Sequence, residues 1–98
     1  MTEEKTISWI FLALALASEF KSADFKEISS IADGINHAIP THKELQTSIS
    51  CLTSHGLVEK NENKYILSVK GKQEFEKASK ETKTLLSMWN YLEKNIKL

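Results

Sequence analysis

The sequence predicts one mostly helical α+β domain with a small β-hairpin, in the order helix, helix, short strand, helix, hairpin, long helix. Three observations support this. Apolar residues recur at helical spacing in four segments, and two short strand-like runs flank a polar turn near the middle of the chain. The 98 residues, 41% of them hydrophobic, can bury one core. We expect a single domain over residues 1–98, with a core from about 5 to 72.

The first helix is predicted around the apolar run Trp9–Ala17. That run is too short to span a bilayer, and the acidic residues before it are unlike the positively charged start of an export signal. We therefore expect a cytoplasmic protein without a membrane segment. One side of the helix carries Ile7, Ile10, Phe11 and Leu14, and the nearly opposite side carries Trp9, Leu12, Leu16 and Phe20. Such a helix is either central within the monomer or shared with another subunit.

A second helix is predicted within Ala23–Ala38, where Asp24 and Glu27 form an N-cap signature. Its apolar stripe consists of Phe25, Ile28, Ile31, Ala32 and Ile35. Gly34 suggests that the helix weakens or ends nearby. Because Pro40 disfavours helical geometry in the preceding residue, a short strand beside the hairpin is predicted there.

The third helix, predicted over residues 42–55, is the best marked. Thr41 and Glu44 form a T-x-x-E capping box. Its apolar stripe is Leu45, Ile49 and Leu52. Gly56 is placed for a left-handed stop, and Leu57 can close over Leu52 as in a Schellman motif.

The hairpin is predicted from two strand-like runs, Leu57–Lys60 and Lys64–Val69, joined by a polar turn over residues 61–63. Asn in that turn tolerates left-handed backbone. Ser68 can cap the last helix, whose first turn contains Gly71, a residue that slightly lowers helix propensity.

A heptad seam predicts one long C-terminal helix over about 69–97. The seam is Phe75, Ala78, Thr82, Leu85, Trp89, Leu92 and Ile96, and neither Gly nor Pro occurs from Lys72 to Leu98. An apolar seam of this kind packs either on the first helix of its own chain or on a symmetry mate. We favour a homodimer whose interface contains Trp9, Leu12, Leu16, Phe20, Leu85, Trp89, Leu92 and Ile96.

Three segments, KEISSIADGIN, PTHKELQTSISCLTSHGLVEK and YILSVKGKQEFEK, resemble the winged helix-turn-helix family, and the likeness extends over essentially the whole chain. The connector from Ile35 to Thr41 is similar to that of small bacterial proteins of this architecture. The resemblance implies a homodimeric DNA-binding transcription regulator, as in the phenolic-acid-repressor-like and arsenic-repressor-like groups. It places the recognition helix, residues 42–55, in the major groove and the wing, residues 57–69, on the backbone.

The same resemblance implies a set of DNA contacts. These are Thr41, His42, Lys43, Gln46, Thr47 and Ser50 on the recognition helix, Lys60, Asn61, Asn63 and Lys64 on the wing, and Lys70 and Lys72 after it. Gln46 can pair with adenine, and Lys43 with guanine or phosphate. The remaining lysines would contact phosphates and set the register.

Charge argues against a strongly basic DNA-binding surface. The 13 basic and 13 acidic residues cancel, and every basic residue is Lys, so Arg is absent. From Thr41 to Lys72 five Lys oppose three Glu, a local charge of +2. The alternative function is therefore a winged-helix module that binds another protein and not DNA.

Metal binding and catalysis have weaker support. Cys51 and His55 stand four residues apart, as do Asp33 and His37, but no closed set of three or four ligands is evident. The sequence contains no phosphate loop and no nucleophile elbow. We expect no enzyme activity, no cofactor and no metal. The single cysteine agrees with a reducing, intracellular setting.

Overall fold

The computed structural model describes residues 1–96 and 98, which form five helices and one hairpin. The elements are α1 (Glu3–Ala17), α2 (Phe25–Asn36), α3 (His42–Ser54), β1 (Val58–Asn61), β2 (Lys64–Leu67), α4 (Val69–Glu81) and α5 (Leu85–Asn95). The chain is thus mostly helical with a small antiparallel sheet, which confirms the α+β prediction at that level.

Helix α1 lies at the centre and packs against α2, α3 and α5. Both of its apolar sides are covered within the single chain, because Trp9 and Leu12 are as deeply buried as Ile10 and Phe11. The Trp9 indole N–H donates to the carbonyl oxygen of Ala32 at 2.9 Å, which fixes α2 to α1. No helix within the described residues has both the length and the apolarity needed to cross a membrane.

Helices α2 and α3 begin with the two predicted N-caps, each a complete capping box. Asp24 Oδ1 accepts the Glu27 N–H at 2.8 Å, and Glu27 Oε1 accepts the Asp24 N–H at 3.2 Å. Thr41 and Glu44 make the same reciprocal pair at 3.0 and 2.8 Å. The two boxes satisfy amide groups that a helix start would otherwise leave without partners.

The end of α3 is the predicted Schellman stop. Gly56 has φ of 74°, a left-handed conformation that glycine adopts without a Cβ penalty. Its N–H donates to the Thr53 carbonyl at 3.0 Å, and the Leu57 N–H donates to the Leu52 carbonyl at 3.0 Å. The chain therefore leaves α3 in a fixed direction and enters β1 directly.

The short strand that we predicted next to Pro40 is wrong in position. Strands β1 and β2 pair with each other, and the third pairing is an isolated bridge between Ala23 and Tyr65. Ala23 and Tyr65 exchange two backbone hydrogen bonds of 2.8 Å. Ile39 is 74% exposed and is paired with neither strand, whereas Ala23, directly before the Asp24 cap, lies beside the hairpin.

The single long C-terminal helix is also wrong, because the chain breaks between α4 and α5. Thr82 is extended, with φ of −136° and ψ of 159°, and Thr84 caps α5 by accepting the Ser87 N–H at 3.1 Å. The break lets α5 fold back so that Trp89 and Leu92 are buried against α1. Core burial outweighs the helix propensity of the intervening residues. The predicted end at residue 97 lies outside the described residues.

Candidate nucleic-acid interface

The outward side of α3 is polar and open to solvent. Its buried stripe is Leu45, Ser48, Ile49 and Leu52, as the spacing predicts apart from the added Ser48. Lys43, Gln46, Thr47 and Ser50 lie away from the core and are exposed. We call these four residues the α3 face. Thr41 and His42 are exposed at the start of the helix, beside this face.

A close approach of backbone fixes the hairpin and α4 against the end of α3. The Ser68 N–H donates to the Leu57 carbonyl at 3.0 Å, and the Ser68 hydroxyl donates to the Gly56 carbonyl. A Cβ at residue 71 would overlap the carbonyl oxygen of Leu57. Gly71 is therefore required by packing, a role that its helix propensity alone did not reveal.

Lys70 makes a contact within the chain that the sequence did not predict. Its Nζ donates to the carbonyl oxygen of His55, 3.3 Å away, at the C-terminal end of α3. A cation there interacts favourably with the unpaired carbonyls and the negative end of the helix dipole. Lys70 thus serves α3 itself, whereas Lys72 is exposed without this contact.

Aromatic side chains join α2, α3 and the hairpin. The Phe25 ring stacks on Tyr65 with centroids 5.4 Å apart, and its other neighbour is His42, in an edge contact at 5.6 Å. The Ala23 bridge strengthens the same junction because it holds Tyr65 by its backbone. The hairpin is thus attached both to the end and to the start of α3.

Between α3 and the hairpin lies a groove of about 360 Å³, which we call the hairpin groove. It is lined by Phe25, Gln46, Ile49, Ser50, Thr53, Ser54, Lys60 and Tyr65. Two predicted contacts on α3 and one on the hairpin therefore share one concave surface. Phe25 and Tyr65 were missed as members of this site, since their spacing indicates only a core stripe and a strand.

The strand register separates the charges of the hairpin. Lys60 lies opposite Tyr65, whereas Glu59 lies opposite Ile66, so Lys60 and Glu59 point to opposite faces. The hairpin groove accordingly contains Lys60 without Glu59. Lys64 pairs with Asn61 at the end of the ladder, next to the two-residue turn of Glu62 and Asn63.

The carboxylates near α3 are partly engaged. The Glu44 carboxylate accepts the Thr41 N–H and so completes the cap. Glu3, from the first turn of α1, lines a cavity together with Lys43 and Thr47. Glu44 lines the same cavity, so two carboxylates face one lysine there, and the hairpin side of the α3 face is the more favourable one for a phosphate.

The predicted dimer residues divide into three groups. Trp9, Leu12, Trp89 and Leu92 are buried inside the single chain, so their apolar surface is already covered. Leu16 and Ile96 are half-buried against the same core. Phe20 and Leu85 are exposed, with 92% and 45% of their surfaces accessible, and so is Leu86, which was not among the predicted residues.

Cys51 and His55 approach each other without forming a metal centre. Their Sγ and Nδ1 atoms are 3.8 Å apart, but the His55 ring nitrogen lies 2.8 Å from the Cys51 carbonyl oxygen and is engaged there. Burial raises the pKa of the Cys51 thiol, and the nearby Glu3 carboxylate raises that pKa further. Over residues 1–96 and 98, no three His, Cys, Asp or Glu side chains are placed to share a metal ion.

No protein-family model, curated protein or solved structure matches the chain. The features that bear on function are the α3 face, the hairpin groove and the charges around them. These features combine an exposed polar helix, a hairpin fixed beside it and lysines on both.

Proposed function

We propose that the chain is a winged-helix protein that binds double-stranded DNA as a homodimer and regulates transcription. In this proposal α3 enters the major groove and the hairpin is the wing on the backbone. The observation that carries the proposal is the joint placement of Gln46, Ser50 and Lys60 around one groove beside an exposed helix. A helix-turn-helix pair would be formed by α2 and α3, with the Ala23 bridge as the third strand.

The α3 face suits base contacts. A Gln side chain can donate to and accept from adenine in the major groove, and Lys can donate to guanine or phosphate. Gln46 and Lys43 are exposed, so neither needs to leave a core position to reach a base. Thr47 and Ser50 add hydroxyl groups that bond to either bases or phosphates.

Lysines on the hairpin and after it suit phosphate contacts. Lys60, Lys64 and Lys72 are exposed, and Lys60 lines the hairpin groove together with Gln46 and Ser50. Such contacts carry no sequence information but fix the orientation of the protein on the duplex. Lys70 is also exposed and keeps further N–H donors for a phosphate beside its bond to the His55 carbonyl oxygen.

The charge balance predicts modest affinity. Zero net charge gives no long-range attraction to DNA, and a local excess of +2 allows only a few phosphate contacts in each protomer. A dimer doubles that number. Its two α3 helices should lie about 34 Å apart, one turn of DNA, if both enter successive major grooves.

A salt titration tests the proposal. Fluorescence anisotropy with a labelled random-sequence duplex should show binding at low salt that weakens as salt is added. The plot of log K against log salt has a negative slope, and Lys60→Gln should make it less steep by about 0.9 per protomer, the effect of one lost phosphate contact. Lys80→Gln, on the far end of α4, removes the same charge and should leave the slope unchanged.

A protein-binding module is the second candidate, and the zero net charge favours it. Phe25 and Tyr65 give the hairpin groove an aromatic wall, which is a common feature of protein interfaces. Absence of duplex binding at low salt would reject DNA binding in favour of this module. Equal effects of the Lys60→Gln and Lys80→Gln variants would reject the proposed orientation of the protein on DNA.

A further inference from the structure

The junction between α4 and α5 contains only Thr82, Lys83 and Thr84. It contains neither Gly nor Pro, and the heptad spacing from Phe75 to Ile96 continues through it, with Thr82 as the one polar member of the seam. The same residues are therefore compatible with a bend and with a continuous helix. This double compatibility distinguishes the junction from the stop after α3, where Gly56 enforces the turn.

The end of α4 also lacks the backbone bond that closes the other helices. Within the part of the chain that the structure describes, the C-cap residues of α1, α2, α3 and α5 donate their N–H groups to the preceding turn, but Thr82 does not. The Thr82 hydroxyl bonds to the Ala78 carbonyl instead, at 2.7 Å. The Thr82 hydroxyl thus bonds to a carbonyl oxygen that would accept a backbone N–H if the helix were longer.

The surface that α5 covers is a complete binding site for that helix. Trp89 and Leu92 are buried, and the Trp89 indole N–H donates to the Lys5 carbonyl at 3.0 Å. Every one of these contacts is between α5 and the body of the domain. Another copy of α5 could make all of them, since its sequence is the same.

We propose that two copies of this chain exchange α5, with α4 and α5 straightened into one helix over residues 69–95. The α5 of each copy occupies the α1 surface of the other. The straightened helix is roughly 40 Å long, which carries α5 clear of its own domain. Short connections between packed elements favour this kind of exchange.

The exposed leucines provide the contacts that are new in the dimer. Leu85 and Leu86, at the start of α5, are 45% and 60% accessible in the single chain. In an exchanged dimer the two junctions lie near the two-fold axis, so these leucines approach their counterparts. Straightening also replaces the Thr84 cap and the Thr82 hydroxyl bond by helical backbone bonds, while the contacts of Trp89 and Leu92 are kept.

The exchange gives the proposed regulator a dimer, but it does not depend on DNA binding. Its tests contain no nucleic acid. Failure of the exchange would therefore leave the DNA proposal standing with another dimer, and failure of DNA binding would not affect the exchange.

The first test changes the junction and measures the dimer by sedimentation over a wide range of protein concentration. Lys83→Pro should lower the dimer association constant at least about 100-fold, because proline inside a helix interrupts it in both chains. In the bend, Thr82 already has the extended conformation that residues before proline prefer. Lys83→Ala is the matched control and should retain the dimer.

Thr82→Ala combined with Thr84→Ala should raise the association constant, because both changes favour helix.

The second test identifies which chain supplies α5. Glu4 and Glu93 line one cavity between α1 and α5. In a Cys51→Ser background, chains carrying Glu4→Cys are mixed with chains carrying Glu93→Cys and treated with a short bis-maleimide. Exchange predicts a covalent dimer of unlike chains, and addition of Lys83→Pro to both chains should abolish it. A dimer in sedimentation without this cross-link would overturn the exchange, as would a monomer at all concentrations in the Thr82→Ala, Thr84→Ala variant.

Discussion

The indole rings of Trp9 and Trp89 pack together with their centroids 6.1 Å apart and their planes inclined by 31°. Each indole N–H donates to a backbone carbonyl, Trp9 to Ala32 and Trp89 to Lys5. The Lys5 ammonium lies 5.3 Å from the Trp89 ring, within the range of a cation–π interaction. This pair connects α5 to α1 and, through Ala32, to α2.

Replacement of Trp89 should therefore destabilise the fold and not only change its assembly. We expect Trp89→Ala to lower the free energy of unfolding by about 3–5 kcal/mol, since a buried indole leaves a cavity. Urea denaturation followed by circular dichroism measures the loss. Asn90→Ala, at an exposed position of the same helix, should change the free energy of unfolding by less than about 0.5 kcal/mol. Similar losses in the two variants would contradict the structural role of Trp89.

The glycines in α2 and α4 should respond in opposite directions to the same change. Gly71→Ala should lower the free energy of unfolding by about 1–3 kcal/mol, because the new methyl group meets the Leu57 carbonyl. A Cβ at Gly34 meets nothing within 4 Å, so Gly34→Ala should stabilise α2 by about 0.5–1 kcal/mol. Thermal and urea denaturation of both variants measure the two effects. An unchanged stability for Gly71→Ala would mean that the two segments are further apart.

The hairpin turn places the backbone of one residue, Glu62, in an unfavourable conformation. Glu62 has φ of 60°, where glycine lacks the Cβ clash that other residues have. We expect Glu62→Gly to raise the free energy of unfolding by about 1 kcal/mol. Glu59→Gln is the control, since it removes one negative charge from the same hairpin and leaves the turn intact. If charge alone matters, both variants will change stability equally.

The thiol of Cys51 should react slowly with alkylating agents at neutral pH. Burial and the Glu3 carboxylate raise its pKa, so the reactive thiolate is scarce. Glu3→Gln should lower that pKa and speed alkylation by iodoacetamide at a fixed pH, whereas Glu4→Gln should have less effect. Because the pKa is higher in the folded chain, the associated stability is present below the unfolded pKa and is lost as pH rises through the folded value. A rate unchanged by Glu3→Gln would show that burial alone controls the thiol.

Local signals were the predictable part of this fold. The two capping boxes and the Gly56 stop each depend on a few adjacent residues, and they appear where the sequence indicates. The break at Thr82 was not predictable from the heptads, because it depends on where α5 must lie to bury Trp89. The bridge between Ala23 and Tyr65 is a single residue pair, so it leaves no periodic signal in the sequence.

The candidate site was likewise predictable only where it depends on local sequence. Exposure of the α3 face follows from the buried stripe on its other side. The hairpin groove does not, since it brings Phe25 and Lys60 together from segments far apart in the chain. The bond from Lys70 to His55 likewise requires the three-dimensional path of the chain after Gly56.

Gly71 has no side chain, and this affects how the surface formed by α3 and the hairpin can vary. It allows α4 to lie directly against the backbone of Leu57, between α3 and the hairpin, so the three elements meet at one point beside the hairpin groove. A partner would meet a surface that is already assembled, and only side chains would have to be ordered. Substitutions in the α3 face or at Lys60 would then change which chemical groups are recognised, while the backbone that carries these residues keeps its place.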